Sequence, residues 1–100
     1  MSRYALLVRL EAKPGKEAEV AEFIKSALPL AEAEHGTRIW FAMQFGPSTF
    51  GIFDSFDDEA ARQAHLDGPI PAALMAKAGE LLSQPPKIEK IDLLAAKKPI

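Results

Sequence analysis

Apolar and polar positions alternate with two different periods along this chain, and the switches between them divide it into elements. From Tyr4 to Ala12 the period is two, with Tyr4, Leu6, Val8 and Leu10 on an apolar face and Ala5, Leu7, Arg9 and Glu11 on a mixed one. Lys13-Pro14-Gly15-Lys16 breaks this strand. From Glu17 the period becomes helical: Val20, Phe23, Ile24, Ala27, Leu28 and Ala31 form a stripe backed by Glu19, Glu22, Lys25 and Glu32. Pro29 interrupts it with a missing donor and a clash toward Lys25, so a kink or restart is expected there, with Gly36 as the stop.

Thr37 to Asp57 returns to period two as a hairpin turning at Gly46-Pro47-Ser48. Ile39, Phe41, Met43 and Phe45 share one face of its first strand, and Arg38, Trp40, Ala42 and Gln44 the other. In the second strand Phe50, Ile52, Asp54 and Phe56 stand opposite Gly51, Phe53 and Ser55. Asp57-Asp58-Glu59 caps a helix over 60–66, which Asp67-Gly68-Pro69 ends. A second helical piece is expected from Pro71 to Ser83, with Leu74, Met75, Ala78, Leu81 and Leu82 inward. The last strand is read over 88–96, with Ile91, Leu93 and Ala95 on one face, Ile88 out of phase at a bulge, and 97–100 a loose tail.

The order β-α-β-β-α-β predicts an α+β, ferredoxin-like domain spanning 1–100: a four-stranded antiparallel sheet with two helices on one face. Trp40, Ala42, Phe53 and Leu7, with Ile91 or Leu93, then form an apolar patch on the other face, which a second copy packing sheet to sheet would bury.

Composition narrows the chemistry. A net charge of −2 with interspersed signs argues against a nucleic-acid or anionic-membrane surface. The absence of cysteine removes disulfides, thiolate metal sites and a cysteine nucleophile. Two histidines, His35 and His65, are too few for an all-histidine metal site, and no metal is expected. The short apolar run at the N-terminus, interrupted by Arg9, reads as neither signal peptide nor membrane span, which makes a cytoplasmic protein the expectation. No phosphate loop, dinucleotide fingerprint or Gly-x-Ser-x-Gly elbow is present.

The strand-one segment YALLVRLEAKPGKEAEVAEF, the segment TRIWFAMQF and the stretch FDSFDDEAARQAHLDGPIPAAL together resemble the antibiotic biosynthesis monooxygenase family of dimeric α/β barrels. The resemblance implies a homodimer joined through sheet faces. It also implies oxidation of a small lipophilic aromatic, of phenol or quinol type, by molecular oxygen without a cofactor. The alternative is a non-catalytic, small-molecule-binding or stress-associated dimer on the same fold. The haem-degrading branch of the fold is disfavoured: its Asn on strand one and its Trp at the end of strand three have no counterparts here, and His65 alone matches.

Six residues are candidates for a site. His65 is the first choice for a catalytic base because an unperturbed imidazole titrates near pH 6.5, although a lone helical histidine is more often a packing residue. Asp54 is the second, because the alternation sets a carboxylate among Phe50, Ile52 and Phe56, where burial would raise its pKa. Trp40, Phe53 and Phe56 are the aromatic candidates for binding substrate, with interface or core packing the plainer reading for Trp40. Arg9, like Arg38, could stabilise an enolate or phenolate, or form a surface ion pair. Glu32, Glu34 and His35 read as a solvated cluster at a helix end.

Overall fold

The structure, a computed structural model, describes residues 3–97. Its elements are β1 (Tyr4–Glu11), α1 (Glu17–Lys25), α2 (Leu28–Ala33), β2 (Thr37–Gln44), β3 (Thr49–Phe56), α3 (Glu59–Leu66), α4 (Pro69–Leu81) and β4 (Lys87–Asp92). The four strands form one antiparallel sheet in the order β2-β3-β1-β4, the ferredoxin-like arrangement.

Each of the two expected helices is split, for a legible local reason. α1 carries acidic residues in its first turn and Lys25 in its last, which suits the helix dipole. It ends where the Ser26 hydroxyl donates to the carbonyl of Phe23 at 2.6 Å, and Pro29, without an N–H, sits in the first turn of α2. In the second pair the Asp58 side chain accepts from the Ala61 amide at 2.8 Å, and Pro69 opens α4 after the break at Gly68. α4 starts earlier than the expected Pro71, because Pro69 already satisfies the first-turn preference.

Val8, Leu10, Phe50 and Ile52 from the sheet pack with Val20 and Ile24 of α1 and Leu74 and Leu81 of α4 into one core. Met75, expected inward, faces solvent instead.

The hairpin register departs from the expected faces. Trp40 pairs with Asp54, Ala42 with Ile52, and Phe41 with Phe53. Trp40 and Ala42 therefore lie on the helix-covered face with Phe50, Ile52, Asp54 and Phe56, and Trp40 packs against the core instead of forming the outer patch. Because side chains alternate with a period of two, the loop length between paired strands decides which sets share a face, and a one-residue difference reverses the answer. The open face carries Leu7, Phe41, Met43 and Phe53, with Phe41 at 55% and Phe45 at 49% exposure.

The irregularity expected at Ile88 is absent: Lys87 to Asp92 pairs with β1 in continuous register, with Ile88 beside Val8. The bulge lies in β2, between Thr37 and Ile39. β4 ends at Asp92, so Leu93 and Ala95 are outside it, and Leu94 is fully exposed. Of the tail expected at 97–100, residues 98–100 lie outside the described residues.

Phe45 folds back over Gly51, and the Arg9 guanidinium stacks on its ring at 4.8 Å. A Cβ at Gly51 would stand 2.7 Å from Phe45 Cε2 and 3.0 Å from the Val8 carbonyl oxygen. Gly51→Ala is therefore expected to lower stability by about 1–3 kcal/mol, the usual range for overpacking, in urea denaturation followed by circular dichroism. An unchanged midpoint would show that the ring moves aside freely.

Candidate functional site

Three strand and helix ends bring three titratable side chains together beneath the helices. Alternation along β3 turns Asp54 to the covered face, where its side chain is 1% exposed. His65 lies in the last turn of α3 with its side chain 5% exposed. Glu34 caps α2 in an extended conformation that directs its side chain inward, leaving it 19% exposed. Glu34 Oε1 lies 2.6 Å from His65 Nδ1 and accepts from the Thr37 hydroxyl, also at 2.6 Å. On the other side of the ring, His65 Nε2 stands 3.0 Å from Asp54 Oδ2. That second contact is an ion pair by distance, but neither Asp54 oxygen receives a hydrogen bond of good geometry.

The neighbours of the trio hold α3 in place over the sheet. Arg62, three residues before His65 on the same helix, is buried. Its Nη1 donates to the carbonyls of Ala5 at 3.3 Å and Ile91 at 3.2 Å, and its Nη2 to Glu59 at 3.3 Å. The guanidinium also lies 5.2 Å from the Tyr4 ring centroid. These contacts clamp α3 to β1 and β4 and so hold His65 above β3. The Phe56 ring packs against His65 at 5.4 Å between centroids. Gly36 permits the α2–β2 turn to close on α3: a Cβ there would sit 2.8 Å from that of Ala61.

Burial and charge set the protonation of the pair. Burial pushes the Asp54 carboxyl up from the ordinary carboxylate range, more strongly than His65 pulls it down. For His65, burial favours the neutral ring, but contact with Asp54 and Glu34 outweighs it and the pKa is raised. The imidazolium donates from both nitrogens, and here an acidic group faces each of them. The two carboxylates lie on opposite edges of the ring, and among the described residues no group of three or more His, Asp or Glu side chains is placed to hold a metal ion.

The six candidates from the sequence divide between the two faces. Asp54, His65, Trp40 and Phe56 lie on the covered face. Phe53 and Arg9 belong to the open face, Phe53 paired with Phe41 and Arg9 stacked on Phe45, so the sheet separates them from the trio. Arg38 forms an exposed ion pair with Asp57 at 3.6 Å.

Two contributors escaped the sequence reading. Glu34 is a half-buried partner of His65 and not part of a solvated cluster, because the chain turns inward at the end of α2. Arg62 looks like any polar helix residue until the helix is docked. The spacing Arg62–His65 on one helical face was the available signal.

A cleft of ≈ 440 Å³ opens between α1 and α4, lined by Ala18, Phe23 and Leu81 with Glu19, Glu22, Lys77 and Glu80. Neither His65 nor Asp54 contributes to its wall.

Comparison with known proteins gives the family and the fold. The chain is 68% identical, over its full length and 97% of the other chain, to the NE2512 protein of unknown function from Nitrosomonas europaea, with a TM-score of 0.96. At 16% identity it resembles a candidate antibiotic biosynthesis monooxygenase from the same organism, covering 92% of this chain and 99% of the other, with a TM-score of 0.81. A third similar structure, a candidate antibiotic biosynthesis monooxygenase from Caulobacter crescentus, is 18% identical over 94% of this chain and 92% of the other, with a TM-score of 0.78. No family model and no curated protein matches. Among the described residues, no helix is long and apolar enough to cross a membrane.

The raised pKa values make stability depend on pH with a definite sign. A group whose folded pKa exceeds its unfolded value stabilises fully below the unfolded value, and that contribution is lost as pH rises through the folded one. For Asp54 the loss begins above about pH 3.9, and for His65 above about pH 6.5. The melting temperature is therefore expected to fall as pH rises above about 6.5. The double variant Asp54→Asn, His65→Gln should flatten that slope. A wild-type melting temperature that rises over this range contradicts the assignment.

Proposed function

This chain belongs to the family of the Nitrosomonas europaea NE2512 protein and has the fold of the antibiotic biosynthesis monooxygenases, and from that premise we propose that it is a monooxygenase working without a bound cofactor. Its substrate is a small lipophilic phenol, quinol or anthrone, and its oxidant is molecular oxygen. One observation carries the reading: a carboxyl and an imidazole, both with raised pKa values, share a buried contact on the covered face, with Glu34 holding the ring from behind. Proton abstraction in a dry site is the one service such a substrate needs from the protein.

In this mechanism ionised Asp54, neighboured by the His65 ring, takes the acidic proton of the substrate. Burial makes this carboxylate a stronger base than an exposed one. His65 spreads the resulting charge and orients the carboxyl. The electron-rich carbon then transfers an electron pair to oxygen in forming a C–O bond. Asp54 returns its proton to the peroxide. Loss of the remaining hydrogen on the oxygenated carbon, with cleavage of the O–O bond, expels water and leaves a carbonyl, so that one oxygen atom enters the product and the other leaves as water. Trp40 and Phe56 supply the aromatic wall on that face.

A second reading is favoured by the position of the cleft. The ≈ 440 Å³ space between α1 and α4 lies apart from His65 and Asp54, as suits a small-molecule-binding protein without catalysis. Oxygen-electrode measurements with anthrones, hydroquinones and phenols separate the two. Under the monooxygenase reading, uptake is saturable, and His65→Ala and Asp54→Asn each lower turnover by about a hundredfold or more with the fold intact. No uptake with any of these substrates rejects catalysis, and a rate indifferent to His65→Ala removes that ring from the mechanism.

The open face extends the reading to assembly. Phe41, Phe45, Phe53 and Leu7 line one surface of the sheet, and a second copy packed face to face buries them. Light scattering at micromolar concentration is expected to give a dimer, and Phe41→Lys to shift it toward monomer. A monomeric wild type rejects this assembly.

A further inference from the structure

We propose that Trp40 and Asp54 form a subsite for the hydroxyl group of a small lipophilic ligand, one that selects a phenol or enol over its ether. The inference deepens the reading of the covered face given above and rests on it for the class of ligand. Trp40 and Asp54 are directly opposed across β2 and β3 and project to the same side. Cβ atoms at such positions stand about 4.5–5.5 Å apart, so one small group can reach both side chains.

Both residues hold buried polar atoms without a partner. Trp40 Nε1 makes no hydrogen bond, and neither does Asp54 Oδ1. Asp54 Oδ2 has only its 3.0 Å contact with His65. Buried polar groups are satisfied in the great majority of cases, and an orphan carries a desolvation cost. Two orphans at opposed positions of one sheet therefore point to a common occupant.

The chemistry of the two groups defines that occupant. An indole N–H only donates, and an ionised carboxylate only accepts. A hydroxyl supplies the missing acceptor to Trp40 and the missing donor to Asp54 at once. An ether oxygen satisfies the indole alone. An ammonium satisfies the carboxylate alone, and an anionic ligand sets a second negative charge against Asp54. On one side of Asp54 stand His65 and, behind it, Glu34, whose Oε2 is also without a partner. The other neighbours are apolar, Leu6 pairing with Asp54 from β1 and Ile52 and Phe56 flanking it on its own strand, so the body of the ligand is lipophilic.

The chain has a single tryptophan, so its fluorescence reports this position directly. Titration of the full-length protein with 4-propylphenol, excited at the red edge of tryptophan absorption, should give a saturable change. Its methyl ether should bind at least ~tenfold more weakly, as expected when a buried donor–acceptor pair is left unmade. Asp54→Leu should reduce the phenol-to-ether preference to about twofold or less. Trp40→Phe, followed by titration calorimetry, should narrow it too and serves if Asp54→Leu does not fold. Equal affinity for phenol and ether in the wild-type protein overturns the proposal. So does a crystal structure in which one water bridges Nε1 and Oδ1 and stays in place with phenol present. Selective phenol binding without oxygen uptake keeps the subsite and rejects the monooxygenase. Oxygen uptake without phenol selectivity rejects the subsite alone.

Discussion

A carboxylate on the covered face of a sheet is the constraint around which this structure is arranged. Asp54 sits where its neighbours along the strand, Ile52 and Phe56, are core residues, and desolvation works against its ionised form there. The compensation is a cationic ring brought from α3, and that ring is itself held by a second carboxylate from the end of α2. Three segments far apart in sequence are thus tied through one imidazole. The fold accommodates the burden because each ring nitrogen of His65 faces a carboxyl group, Asp54 on one edge and Glu34 on the other.

Several features that look unrelated serve that arrangement. The Arg62 clamp holds α3 to β1 and β4, which fixes the height of His65 above β3. The break between α1 and α2 lets the chain turn back, so that Glu34 faces inward where a continuous helix would have carried it past. Gly36 then allows the turn to approach Ala61 on the same helix as His65. Backbone breaks at Ser26 and Gly68 are therefore part of the positioning and not defects in the helices.

The sheet separates two kinds of surface. The covered side concentrates acid–base groups among apolar neighbours, the setting in which a proton can be moved with little competition from water. The open side is aromatic, with Arg9 stacked on Phe45, and carries none of the trio. A residue's place in β2 or β3 thus decides whether it joins the buried trio's side or the outer face, and adjacent residues fall on opposite sides. Trp40 and Phe41 are neighbours in the chain and serve different surfaces for that reason.

Local rules were enough for much of this. Period-two and helical patterning defined the strand and helix order and hence the ferredoxin-like topology, because hydrophobic period is a property of consecutive residues. Proline and glycine marked the breaks at Pro29 and Gly68, since their backbone restrictions are local as well. The odd placement of Asp54 among Phe50, Ile52 and Phe56 was visible in the same way. What local pattern could not decide was the relation between elements. Which hairpin faces coincide depends on register, and the observed pairing carried Trp40 to the covered side. Glu34 carries no mark in the sequence that separates it from solvated residues, and Arg62 carries only its spacing from His65. Their partners, His65 for one and the Ala5 and Ile91 carbonyls for the other, lie 31, 57 and 29 positions away and meet them only when the helices dock on the sheet.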